Sequence, residues 1–191
     1  GIDHFEVYIS YDQLGTNQAQ LWWSHPVTEK HGTEFPVGTN RFDIWDPTTR
    51  QTHNSEYPAN WVIVYSSIGG SLQPVSEAAK VPLYDASPNK PGNIDLALSF
   101  FDQDPANPTI EGTLAWVAPA KTDFGFTKDF AVYLSADAAG SDKVLLTEVL
   151  AGSHETVFPK GTHCWDRNYL LVYPRNPNGL ALSPSWMVLV G

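Results

Sequence analysis

The chain has 191 residues, 42% of them hydrophobic and 13% aromatic against 17% charged, a profile that excludes disorder and predicts a substantial buried core. Seven Trp, eight Tyr and nine Phe stand beside fifteen Pro and fourteen Gly, which fits aromatic-rich strands cut by tight turns and argues against a helical bundle. The formal net charge of −10 disfavours nucleic acid and anionic lipid as partners, and a single cysteine, Cys164, leaves no intrachain disulfide.

In chain order, the first half predicts strands near 4–11, 20–24, 33–37, 60–66 and 74–84. The second half predicts strands near 94–101, 111–117, 129–136, 143–149, 154–158, 168–174 and 183–190. Each is a short run of β-branched and aromatic residues bounded by Gly, Pro, Asp or Asn. No apolar run approaches the roughly 20 residues that a membrane span needs. The chain opens on Gly1 without a methionine or a basic-then-apolar leader, so residues N-terminal to it are expected to have been removed or to lie outside this sequence.

The halves repeat one another. His4-Phe5-Glu6-Val7-Tyr8-Ile9-Ser10 matches Asp129-Phe130-Ala131-Val132-Tyr133-Leu134-Ser135, Phe35-Pro36-Val37-Gly38-Thr39 matches Phe158-Pro159-Lys160-Gly161-Thr162, and Trp61-Val62-Ile63-Val64-Tyr65 matches Tyr169-Leu170-Leu171-Val172-Tyr173. The spacing is 125 residues from Phe5 to Phe130, 123 from Phe35 to Phe158 and 108 from Trp61 to Tyr169, so the first copy carries an insertion near 41–59. Its Asp, Thr, Asn and Pro content predicts a long exposed loop without a strand. Residues 87–92, Ser-Pro-Asn-Lys-Pro-Gly, read as a stiff linker between a partial module at 1–86 and a complete one at 93–191.

Seven short strands with turns between them predict a two-sheet β-sandwich, and the first copy lacks counterparts of the first two. The second copy resembles a fibronectin type III-like or immunoglobulin-like module: Trp116 with Pro119 is similar to that family's second strand, Phe130 to Tyr133 to its third, and Tyr169 to Gly179 to its sixth strand and following turn. Phe100-Phe101-Asp102-Gln103-Asp104, then Ile110-Glu111-Gly112 and the Pro-x-Gly-Thr block, look more narrowly like repeats of very large multi-repeat proteins of alveolate protists. This resemblance implies an all-β tandem array in an extracellular, cell-surface or organelle-lumen setting. It also implies spacer, adhesion or binding work for its modules.

Candidate sites are few. Asp102, Asp104 and Glu111 flank the turn between the first two strands of the complete module, where hard oxygen ligands suit calcium; the alternative is that the aspartates cap the turn. Trp22 and Trp23 alternate across a strand, and with Trp45, Tyr57 and Trp165 they form a candidate aromatic surface for a protein partner or a glycan, the alternative being core and edge packing. The six histidines show no zinc spacing, and no nucleophile elbow or phosphate loop occurs, so no catalytic residues are assigned. The expected function is a non-enzymatic structural or adhesion segment of a larger array, its first sandwich completed by a neighbouring module or protein partner. Carbohydrate binding through exposed tryptophans, or service as an accessory subunit of a large complex, are the alternatives.

Overall fold

A computed structural model describes residues 1–26, 43–46, 51–54, 57–103 and 108–189, with the backbone alone for 21–26, 43–46 and 51–54. It is all-β, in antiparallel sheets. Two compact units divide the chain. The first comprises Gly1–Ala86 together with Lys121–Gly125, and the second comprises Ser87–Ala120 and Phe126–Gly191.

In the first unit, β1 (His4–Ser10), β2 (Ala19–Pro26), β5 (Trp61–Ile68), β6 (Ser71–Leu72) and β7 (Ala79–Pro82) make one sheet in which β1 and β5 are the inner strands. Between β2 and β5, β3 (Asp43–Asp46) and β4 (Gln51–Asn54) pair as a hairpin. The insertion at 41–59 is therefore not the strandless loop its Asp, Asn and Pro content predicts. Ile44, Trp45 and Thr52 are β-formers, and they lie in the four-residue strands that pair here. The expected strand at 33–37 lies outside the described residues.

In the second unit, β8 (Ala97–Phe100), β9 (Thr109–Val117) and β12 (Glu155–His163) form a three-stranded sheet with β9 at its centre. A five-stranded sheet contains β10 (Asp129–Ser135), β11 (Val144–Leu150), β13 (Tyr169–Asn176), β14 (Gly179–Leu180) and β15 (Ser185–Val188). Strand alternation puts Phe130, Val132 and Leu134 on one face of β10, all fully buried, and Phe130 meets Trp116 of β9 edge-on with ring centroids 5.4 Å apart. Leu114 and Phe158 extend this core, and Phe158 packs on Phe100 at 5.8 Å. Each large side chain so buried contributes on the order of 1.5–3 kcal/mol.

The two five-stranded sheets share a register. His4 pairs with Ser67 in β1 and β5 as Asp129 pairs with Arg175 in β10 and β13, and Val7 faces Val64 as Val132 faces Val172. These are the partners that spacings of 125 and 108 residues require. Even a bulge recurs, between Val7 and Tyr8 and again between Val132 and Tyr133. No counterpart of β8 or β9 stands among the described residues of the first unit.

The turn after each of these strands is also built twice. The Asp12 carboxylate accepts the backbone N–H groups of Leu14 and Thr16, and that of Asp137 accepts those of Ala139 and Ser141. Asn17 and Asp142 follow at φ 49° and 50°, in the left-handed region that Asn and Asp tolerate. Ser87 to Gly92, which composition reads as a linker, is bonded into the second unit: Asn176 and Asn178 donate side-chain amides to the carbonyls of Asn89 and Ser87 at 2.9 and 2.6 Å.

Candidate functional site

The first unit gathers a cluster around Asn60, just before β5. Asn60 is only 4% exposed, and a buried amide must find partners for both its ends. It finds them in the Lys121–Gly125 segment. Its Nδ2 donates to the Thr122 carbonyl at 3.0 Å, and its Oδ1 accepts the Phe124 N–H at 2.9 Å. The Lys121 N–H donates to the Tyr11 hydroxyl oxygen at 3.1 Å, and the Asp85 N–H to the Gly125 carbonyl at 2.6 Å. Lys121 Nζ sits 5.2 Å from the centre of the Tyr57 ring, itself edge-on to Tyr11 at 5.1 Å. A pentapeptide loop is thus held through its backbone by Asn60, Tyr11 and the Asp85 N–H, with Tyr57 meeting its lysine side chain.

A second constellation lies on the face of each five-stranded sheet opposite to that of Phe5 and Phe130. Tyr8 and Tyr65 meet at 5.2 Å and 84°, and Tyr133 and Tyr173, at the equivalent positions, at 5.7 Å and 85°. In the first unit Glu6 accepts from the Tyr8 hydroxyl and from Gln20 Nε2, and the Tyr65 hydroxyl donates to Gln18. Burial, and then the bond to the Glu6 carboxylate, push the Tyr8 phenol up to about 12. In the second unit Lys143, which occupies the place of Gln18, lies over both rings at 5.3 and 4.7 Å.

Register makes one further comparison possible on this face. Leu145, Tyr133, Leu171 and Trp186 stand side by side in a row across β11, β10, β13 and β15, where the first unit has Gln20, Tyr8, Ile63 and Lys80. The ends of the row change from polar to apolar. Trp186 is 53% exposed and tilts against Tyr169 at 5.9 Å. Sequence reasoning placed a strand there without marking Trp186; the usable signal was Lys80 at the equivalent position of the other copy.

The sequence-predicted residues are dispersed. Asp102 Oδ1 accepts the Glu111 backbone N–H at 2.9 Å, and the Gln103 N–H donates to the Glu111 carbonyl at 2.8 Å, so Asp102 caps the turn. Asp104 lies outside the described residues. Among the described residues no three His, Cys, Asp or Glu side chains gather as metal ligands. Trp22 stands opposite Val7 in β2 with Trp23 next to it, and Trp45 opposite Thr52 in the hairpin, all described by backbone alone. Tyr57 belongs to the Asn60 cluster, whereas Trp165 belongs to the second unit, 51% exposed with its ring 6.1 Å from His163. The Cys164 thiol is buried, and that burial raises its pKa, which suits an inert packing residue. No helix among the described residues is long and apolar enough to cross a membrane.

No protein-family model, curated protein or solved structure matches this chain.

Proposed function

We propose that the chain is a non-catalytic structural or adhesion segment of a larger array of fibronectin type III-like sandwich modules, working through protein-protein association at the sheet of its first unit. One observation carries this reading. Phe5 and Phe130 hold the same register position, yet Phe130 is fully buried under Trp116 of a second sheet while Phe5 is 37% exposed. Ile2 at 45% lies just before it in the chain. Apolar surface left open on a sheet whose copy is covered is suited to a partner strand or sheet.

Sedimentation of the purified chain across a concentration series tests the reading. Self-association or capture of a neighbouring module that Phe5→Glu abolishes, with the melting temperature little changed, supports it. A chain that stays monomeric at all concentrations and whose Phe5→Glu variant binds a supplied flanking module as well as the parent would remove it.

A second reading, carbohydrate binding, is favoured by the exposed Trp186 ring, which tilts against the half-buried Tyr169 in the second unit. A glycan screen in which Trp186→Ala loses every hit would select it.

A further inference from the structure

The Asn60 cluster has an unfilled counterpart. Asn168 stands immediately before Tyr169 as Asn60 stands before Trp61, and the same backbone bond marks both: Leu83 N–H donates to the Asn60 carbonyl at 2.8 Å and Leu189 N–H to the Asn168 carbonyl at 2.7 Å. The side chains then differ in use. Asn60 is buried with both ends of its amide bonded to Lys121–Gly125, whereas Asn168 is exposed and its amide has no hydrogen bond among the described residues.

Eight residues of sequence around the two asparagines sharpen the comparison. Trp165 holds the place of Tyr57, the ring under Lys121, and Trp offers a cation the stronger face of the two. The backbone approach is different, because Trp165 and Asp166 adopt φ 47° and 61° where Pro58 is fixed at negative φ. Asn168 therefore anchors the correspondence, and Trp165, exposed three residues before it, matches Tyr57 by position in the chain.

We infer that the Asn168 end of the second unit is a receiving surface for an interstrand loop of the Lys-Thr-Asp-Phe-Gly kind, carried by a further sandwich module. What the amide needs is a carbonyl and an N–H two residues apart, as Thr122 and Phe124 supply, and any loop of that backbone shape presents them. The lysine ahead of them would meet the Trp165 ring and the exposed Asp166. The occupant is named by its observed analogue inside the first unit, and the inference rests on the array reading given above.

The test is an extended chain in which Gly191 runs directly into a second copy of residues 86–191, with only the original 191 residues isotope-labelled. Leu83 matches Leu189, so residue 86 is the natural point at which to resume. The expected result is a shift of the Asn168 side-chain amide and Trp165 indole resonances on extension, and in the Asn168→Ala variant of the original 191 residues the Trp165 resonance should stay where it is in the unextended chain. Unchanged resonances beside a folded added module would overturn the inference. If the added module fails to fold, a cyclised peptide of residues 118–128 titrated into the parent chain decides: shifts at Asn168 and Trp165 support the surface, and none at millimolar peptide overturns it. Phe5-dependent association that persists while both probes miss Asn168 would sink this surface and leave the array reading standing.

Discussion

Trp116 and Phe130 meet edge-to-face at 5.4 Å, and through that contact the three-stranded sheet of the second unit closes over the five-stranded one. Phe5 repeats the position of Phe130 but is 37% exposed. The same substitution should therefore cost very different amounts. Phe130→Ala is expected to remove about 3–5 kcal/mol from the second unit, the usual cost of an aromatic cavity, and Phe5→Ala no more than about 1 kcal/mol from the first. Urea titration of each variant checks the contrast.

High pH should weaken the first unit through Tyr8. In the folded chain its phenol keeps its proton to about pH 12, whereas an unfolded tyrosine releases it near its ordinary value of 10.0. Between those values the folded state binds more protons, so stability is fully present below pH 10 and falls as pH rises toward 12. Tyr65 is shifted upward as well, by burial. The measurement is the denaturation midpoint from pH 9 to 12, and Tyr8→Phe should flatten the fall.

The strand plan of the second unit was legible because its apolar runs are short and well punctuated: all seven expected strands form, and the repeat spacing fixes which residues pair. Three features were hidden. The hairpin through Trp45 was masked by the Asp, Asn and Pro around it. β12 continues to His163 past Pro159, where a register shift between Phe158 and Thr162 absorbs the Pro-Lys-Gly interruption, and a bulge of this kind leaves little trace in composition. Lys121–Gly125 reads locally as an ordinary turn, and its place in the first unit depends on Asn60, some sixty residues earlier, which no local pattern reveals.

Asp102 gives a test of turn capping against metal binding. Since its carboxylate accepts the Glu111 N–H, Asp102→Ala should lower stability by about 1 kcal/mol, and Asp102→Asn, which keeps an acceptor oxygen, by less. Chelation of divalent ions is expected to leave the melting temperature of the parent chain unchanged. A drop of several degrees on chelation, restored by calcium, would return these carboxylates to a metal site.

Gly112 and Gly140 are expected to differ in tolerance. A Cβ at Gly112, at φ 146°, would sit 2.4 Å from the Phe101 carbonyl oxygen, a backbone atom that cannot turn aside. At Gly140 it would meet the Tyr173 hydroxyl at 2.8 Å, the far end of a side chain. Gly112→Ala should thus destabilise more than Gly140→Ala, though both carry strain from positive φ. Thermal melts of the two variants rank them.

The account stands on one strand order used twice in the same register, and paired cysteines read register directly, because a disulfide forms only between β-carbons a few ångströms apart. Cysteines placed at Val7 and Val64 in one variant, and at Val132 and Val172 in another, should each close on mild oxidation in the folded chain. Closure at 132–172 together with failure at 7–64, and ready closure of 7 with 63 or 65 instead, would contradict the shared register and with it the equivalence of the two units.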